Sequence, residues 1–278
     1  MLDLMLGNGT SSFSCGEVYS WYRPWRTHHF DLRQSPPPLW EKLGAFPENV
    51  FHVNAANALC VEFIIDSSKN ETWLVDSQRW ARRNNMGVHN IILWKKPINH
   101  AHSFWKRGGD LQHWKKHYTR YYLRLMGTGI NFASVNLEDL NRDPAGKLKQ
   151  ICDYIKMPYR AGQERFWEGE YDHLFGSLGT RKQVEVGEGE FRQVQTYEPA
   201  FDAVSRAVEQ MVESNAILRR VVDWLDSIEL APSCSRPIEK PVGPIRYYPL
   251  WYYGYKGRII ARRWLPRSLW VKDQANGQ

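Results

Sequence analysis

Apolar residues follow two rhythms along this chain. Nearly continuous apolar runs at Val61 to Ile65, Asn90 to Trp94 and Phe132 to Leu137 predict strands, and the first two stop at Asp66-Ser67-Ser68-Lys69 and Lys95-Lys96-Pro97. Runs of this kind suit strands covered on both faces, as in a parallel sheet. Between them the period changes to three and four. Asp110 to Met126 carries Leu111, Trp114, Tyr118, Tyr121, Tyr122 and Leu125 on one broad face; Asp143-Pro144 opens a helix marked by Leu148, Ile151, Cys152 and Ile155; Glu198-Pro199 opens another, marked by Phe201, Val204, Val208, Met211 and Val212. Strand, helix and strand in this order predict a three-layer α/β fold, a parallel sheet with flanking helices.

The rhythm breaks twice. Gly162 to Glu190 is rich in glycine and charge and reads as a long excursion or lid, and from Pro232 the periodicity fades into a segment where Pro237, Pro241, Pro244, Pro249 and Pro266 fall among tyrosines and tryptophans. The expected division is one domain over 1–231 and an arm over 232–278. Large side chains are plentiful enough, with 13 Trp, 14 Tyr and 11 Phe in 278 residues, to exclude disorder as a global description.

Charge is distributed unevenly. The arm holds nine basic residues (Arg236, Lys240, Arg246, Lys256, Arg258, Arg262, Arg263, Arg267 and Lys272) against Glu239 and Asp273, which accounts for the whole net charge of +7. The body is therefore neutral, which argues against nucleic acid as a partner of the fold. Its mix of cations with Ile, Leu and Trp suits an interfacial segment on anionic lipid or a docking arm, and equally a belt wrapped over the body. Cys15, Cys60, Cys152 and Cys234 are dispersed and read as reduced thiols. No uncharged apolar stretch reaches bilayer length and the start lacks a signal-peptide pattern, so a cytoplasmic protein is expected, with peripheral membrane contact through the arm as the one qualification. The sequons at Asn8 and Asn70 are then chance. His113 and His117 share a helix face, but no HExxH pattern accompanies them and no metal site is expected.

Ligands of open parallel sheets bind beyond the carboxyl ends of strands, which directs attention to the residues after Ile65 and Trp94. Leu93-Trp94-Lys95-Lys96-Pro97, with Ser103 eight positions after Lys95, resembles the 3′-phosphate site of the sulfotransferase family that uses 3′-phosphoadenosine 5′-phosphosulfate (PAPS). There a strand ends in a basic residue, often arginine, and a serine follows on the next helix; here lysine replaces the arginine fork with a point charge. Four further segments resemble bacterial members in family order: Phe13-Ser14-Cys15-Gly16-Glu17, Ile65-Asp66-Ser67-Ser68-Lys69, Val135-Asn136-Leu137-Glu138-Asp139-Leu140, and the loop Phe175 to Lys182 with Arg181. The likeness covers roughly the first 185 residues. It also implies that the chain begins after the family's first strand and 5′-phosphosulfate loop, either through a late start or through loss of about a dozen residues.

The resemblance implies a P-loop NTPase-like sulfotransferase fold, truncated at the N-terminus, and transfer of a sulfuryl group from PAPS, without a metal, to a hydroxyl or amine of a carbohydrate or glycolipid-type acceptor. It makes Glu17 the base facing the acceptor, Lys95 and Ser103 the 3′-phosphate ligands, and Arg181, Ser68 and Lys69 further donors to the nucleotide. Trp21, Arg23 and Arg26, in a stretch dense with aromatic and basic groups, read either as an acceptor platform or as core capping. A non-catalytic nucleotide-binding relic, or a membrane-surface adaptor working through the arm, is the alternative. A kinase-like enzyme is disfavoured because no GxxxxGK[ST] loop is present.

Overall fold

The structure, a computed structural model, describes residues 1–24, 26–169, 178–187, 189 and 199–230. The arm over 232–278 and residues 175–177 of the Phe175–Lys182 motif lie outside the described residues. The chain divides into two compact units. Each is built on a parallel strand pair with helical crossovers, the connection parallel strands require.

The first unit takes Met1–Val88 and the described part of Arg160–Gly189. Helix α1 (Leu2–Gly7) precedes β1 (Ser12–Ser14); four helices, α2 (Val18–Tyr22), α3 (Thr27–Gln34), α4 (Pro38–Leu43) and α5 (Phe51–Leu59), lead to β2 (Phe63–Ile65), and α6 (Glu71–Arg83) follows. Ser12 pairs with Phe63 and Ser14 with Ile65. Strand β1 was not expected, because Ser-Phe-Ser lacks an apolar run. The Ser12 hydroxyl is accommodated by a local partner, its Oγ donating to the Leu6 carbonyl at 2.6 Å. Asn70 caps α6 by accepting from the backbone N–H groups of Thr72 and Trp73 at 3.0 and 3.1 Å, so this sequon asparagine is a helix N-cap.

The core of this unit is aromatic. Trp40 stacks on Phe51 with ring centroids 5.9 Å apart, Trp21 leans on Trp40, and Tyr22 stacks on Trp73, around Cys15, Val18, Leu43 and Ala55. Gly44 is obligatory here. A Cβ at that position would run into the Trp21 indole, whose Nε1 donates to the Gly44 carbonyl at 3.2 Å.

The second unit takes His89–Tyr159 and the described part of Glu190–Val242. Strand β3 (Ile91–Trp94) leads into α7 (Pro97–Trp105) and α8 (Leu111–Met126), then β4 (Ala133–Asn136), α9 (Leu137–Arg142) and α10 (Pro144–Ile155). Ile91 pairs with Ala133 and Trp94 with Asn136. The expected helix starts hold: Asp110 accepts from His113 N at 2.8 Å, Asp143 from Gly146 N at 3.0 Å, and Pro144 is the first residue of its helix. In the first unit, the expected excursion after Gly162 contains α11 (Leu178–Val186); in the second, α12 (Pro199–Ser214) and α13 (Ala216–Ser227) follow. Ser134 ties β4 to the end of α13, donating its hydroxyl to the Leu225 carbonyl at 2.6 Å. Among the described residues no helix is long and apolar enough to cross a membrane, and Cys15, Cys60 and Cys152 are free thiols.

Candidate functional site

Each unit gathers charged residues at the carboxyl end of its strand pair. In the first, β1 runs into Cys15 and Gly16, whose φ of +64° makes the left-handed turn that glycine adopts without strain. Glu17 then stands at the N-cap of α2. The turn after β2 is bound to it through the backbone, Ser67 N donating to the Gly16 carbonyl at 2.8 Å. Lys69 Nζ donates to Glu17 Oε1 at 2.5 Å, with the lysine side chain 72% exposed and the glutamate 25%.

Asp66 organises this turn. Its Oδ1 accepts from Ser68 N and Ser68 Oγ, and its Oδ2 from Trp73 Nε1 at 2.7 Å and His52 Nε2 at 3.0 Å. Burial pushes the Asp66 carboxyl upward, but the His52, Ser68 and Trp73 contacts outweigh it and hold the group below the usual carboxylate range. Ser68 Oγ in turn accepts from Tyr19 N at 2.8 Å, capping α2 from a different segment. A chain of contacts thus runs from His52 through Asp66 and Ser68 to the helix start that carries Glu17. The Ser68 hydroxyl faces this network.

In the second unit β3 delivers Lys95. Its Nζ donates to Ser103 Oγ at 3.3 Å, and Ser103 Oγ donates to the Asn99 carbonyl one turn earlier on α7 at 2.9 Å. The two residues eight positions apart in sequence are therefore adjacent. The ammonium is half-buried, and burial pushes its pKa below the ordinary lysine value, with Arg107 adding to the fall and Glu138 opposing it. Glu138 sits in the first turn of α9, capped by Asn136 Oδ1, and its Oε1 accepts from Asn99 Nδ2 at 2.8 Å. A half-buried cation beside a hydroxyl, with no carboxylate in direct contact among the described residues, is suited to an anionic ligand. Asn99 and Arg107 carried no signal in the sequence beyond their spacing from Ser103.

The remaining candidates fall elsewhere. Trp21 and Arg23 are core residues, 6% and 7% exposed, rather than a surface platform. Arg23 donates from Nε to Glu48 Oε1 and from Nη2 to Asp76 Oδ2, both at 2.6 Å, with its guanidinium 5.3 Å from the Trp73 ring centroid. A buried guanidinium needs such partners, and Glu48 and Asp76 are too distant in sequence to have been anticipated. Arg26 is exposed at the start of α3. Arg181 lies on α11, and its side chain is outside the described residues. His100 Nδ1 accepts from Trp114 Nε1 at 2.9 Å, and among the described residues no three metal-ligating side chains gather.

No protein-family model matches the chain, and no curated protein matches it. Two solved structures are similar. One is a sulfotransferase domain from the Synechococcus PCC 7002 olefin synthase, 15% identical, covering 81% of this chain and 88% of that one with a TM-score of 0.50. The other is a sulfotransferase domain from the curacin biosynthetic pathway, 13% identical over 83% and 93% of the two chains with a TM-score of 0.48. The likeness is one of fold: parallel strands with flanking helices, in the arrangement of a sulfotransferase domain.

Proposed function

We propose that this chain is a sulfotransferase, moving a sulfuryl group from PAPS to a hydroxyl or amine, with carbohydrate or glycolipid alcohols as the acceptor class. The observation that carries the reading is the meeting of Lys95 and Ser103 at the end of β3, on a fold similar to that of a sulfotransferase domain. Lys95 and Ser103 would hold the 3′-phosphate, the ammonium by charge and the hydroxyl by donation. Glu17 would take the proton of the acceptor while the acceptor oxygen or nitrogen bonds to sulfur; the bond from sulfur to the bridging phosphate oxygen breaks, and adenosine 3′,5′-bisphosphate leaves with that electron pair. Lys69, 2.5 Å from Glu17, is the cation available to sulfuryl oxygens there. Arg181 and Arg26 remain proposals from sequence, toward nucleotide and acceptor. Trp21 and Arg23 are left out because both are packed into the core.

The test is formation of adenosine 3′,5′-bisphosphate from PAPS over a panel of sugar, glycolipid and lipid-chain alcohols. Glu17→Gln is expected to lower turnover by about 10²–10⁴-fold, the scale of general base catalysis, with bisphosphate affinity unchanged. Unaltered turnover would remove Glu17 from the mechanism. The alternative of a membrane-surface adaptor rests on the composition of the arm, and pelleting with anionic liposomes that survives deletion of residues after Pro244 would exclude it.

A further inference from the structure

The charge beside Ser103 is greater than one lysine provides. Arg107 lies in the turn just beyond the end of α7, four residues after Ser103. Its Nε donates to the Ser103 carbonyl at 3.0 Å, which fixes the head group beside the residue whose hydroxyl meets Lys95. Among the described residues, the two terminal nitrogens of Arg107 have no partner and no carboxylate lies within 4.0 Å of the Lys95 or Arg107 side-chain nitrogens.

We propose that Arg107 is a third ligand of the phosphate monoester that Lys95 and Ser103 take up, supplying the two-pronged guanidinium contact that a lysine at the strand end lacks. This rests on the reading of Lys95 and Ser103 as a 3′-phosphate site and adds to it a residue that neither the motif nor the fold assigns.

The groups around Lys95 support it. Among the described residues Glu138 is the acid that acts on Lys95, at more than ion-pair distance; its Oε1 accepts from Asn99, and its Oε2 is buried without a hydrogen-bond partner. His100 is pushed down to about 4 by burial and then by Lys95 and Arg107, so it stays neutral and leaves the field to the two cations. Like charges gathered this way repel in the free protein, and a doubly charged phosphate received between them converts repulsion into two attractions. The terminal guanidinium nitrogens match a pair of phosphate oxygens, whereas an ammonium meets them as a point charge.

The experiment is calorimetric titration of the full 278-residue chain with adenosine 3′,5′-bisphosphate and, separately, adenosine 5′-monophosphate. Wild type should prefer the bisphosphate. Arg107→Ala should weaken the bisphosphate about tenfold, the value of one charge-assisted contact, and leave the monophosphate unchanged; Arg107→Lys should recover only part of the loss. If Arg107→Ala melts at a lower temperature, Arg107→Gln, which can still donate to the Ser103 carbonyl, must show the same tenfold loss. Bisphosphate affinity equal to wild type in a folded Arg107 variant, alongside a weakened Lys95→Ala, overturns the role of Arg107 and leaves the phosphate site standing. No preference for the bisphosphate in wild type removes the site itself, and Arg107 with it.

Discussion

At the end of β2, Asp66 collects donors from His52, Ser68 and Trp73, and Lys69 meets Glu17 at 2.5 Å. At the end of β3, the Lys95 ammonium meets, among the described residues, only the Ser103 hydroxyl, at 3.3 Å, and its neighbours include a second cation. Asp66 is satisfied internally and so fixes the turn on which Lys69 stands. The second unit leaves Lys95 without a direct counter-ion among the described residues, at a cost in stability that a bound anion would reverse. A buried charge with direct partners in the fold thus reads as positioning, and one left half-buried without a direct counter-ion among the described residues reads as binding. Arg23, held by Glu48 and Asp76, belongs to the first kind despite its place in an arginine-rich stretch.

That contrast predicts opposite responses to removing a charge. Asp66→Ala should destabilise the fold by about 3–5 kcal/mol, because it strands the donors of His52, Trp73 and the Ser68 turn; a loss below about 1 kcal/mol in urea unfolding would show that the network is incidental. Next in size is the acid response of the second unit. His100 has an ordinary value of 6.5 and is pushed down to about 4, so the folded state prefers the neutral ring. Stability should be complete above pH 6.5 and fall as the pH drops toward 4, by about 2 kcal/mol after allowance for partial exposure. His100→Gln should flatten that slope, and an unchanged slope would place the acid response elsewhere. Smallest is Lys95→Met, which should leave stability unchanged or raise it by up to about 1 kcal/mol, since it removes a half-buried cation and keeps the packing. A clear loss of stability would mean that Lys95 is structural.

Helices with strong apolar period and acidic or proline starts, α8, α10 and α12, were legible in the sequence, as were the apolar strands β2, β3 and β4. Strand β1 was not, because Ser-Phe-Ser lacks an apolar run and the partner of its Ser12 hydroxyl, the Leu6 carbonyl, is supplied by the fold. The Lys95–Ser103 pair was legible through the resemblance of its segment to a 3′-phosphate motif, and the strand end and following helix bring the two side chains together. The roles of Asp66 and Ser68 were hidden, since they depend on His52 and Tyr19, distant in sequence and brought close only by packing. The same holds for Trp21 and Arg23: a cluster of aromatic and basic residues has the same composition whether it faces an acceptor or a core, and only Glu48, Asp76 and Trp40 decide.

The most direct test of the phosphate site compares adenosine 3′,5′-bisphosphate with adenosine 5′-monophosphate on wild type and Lys95→Ala. Loss of about 1.5–3 kcal/mol of binding for the bisphosphate, about tenfold or more in affinity, with the monophosphate unaffected, is the expected result. Because burial holds the Lys95 pKa below the ordinary lysine value, the wild-type preference should also disappear at a lower alkaline pH than an ordinary lysine would dictate. Equal affinity of Lys95→Ala and wild type for the bisphosphate would contradict the account.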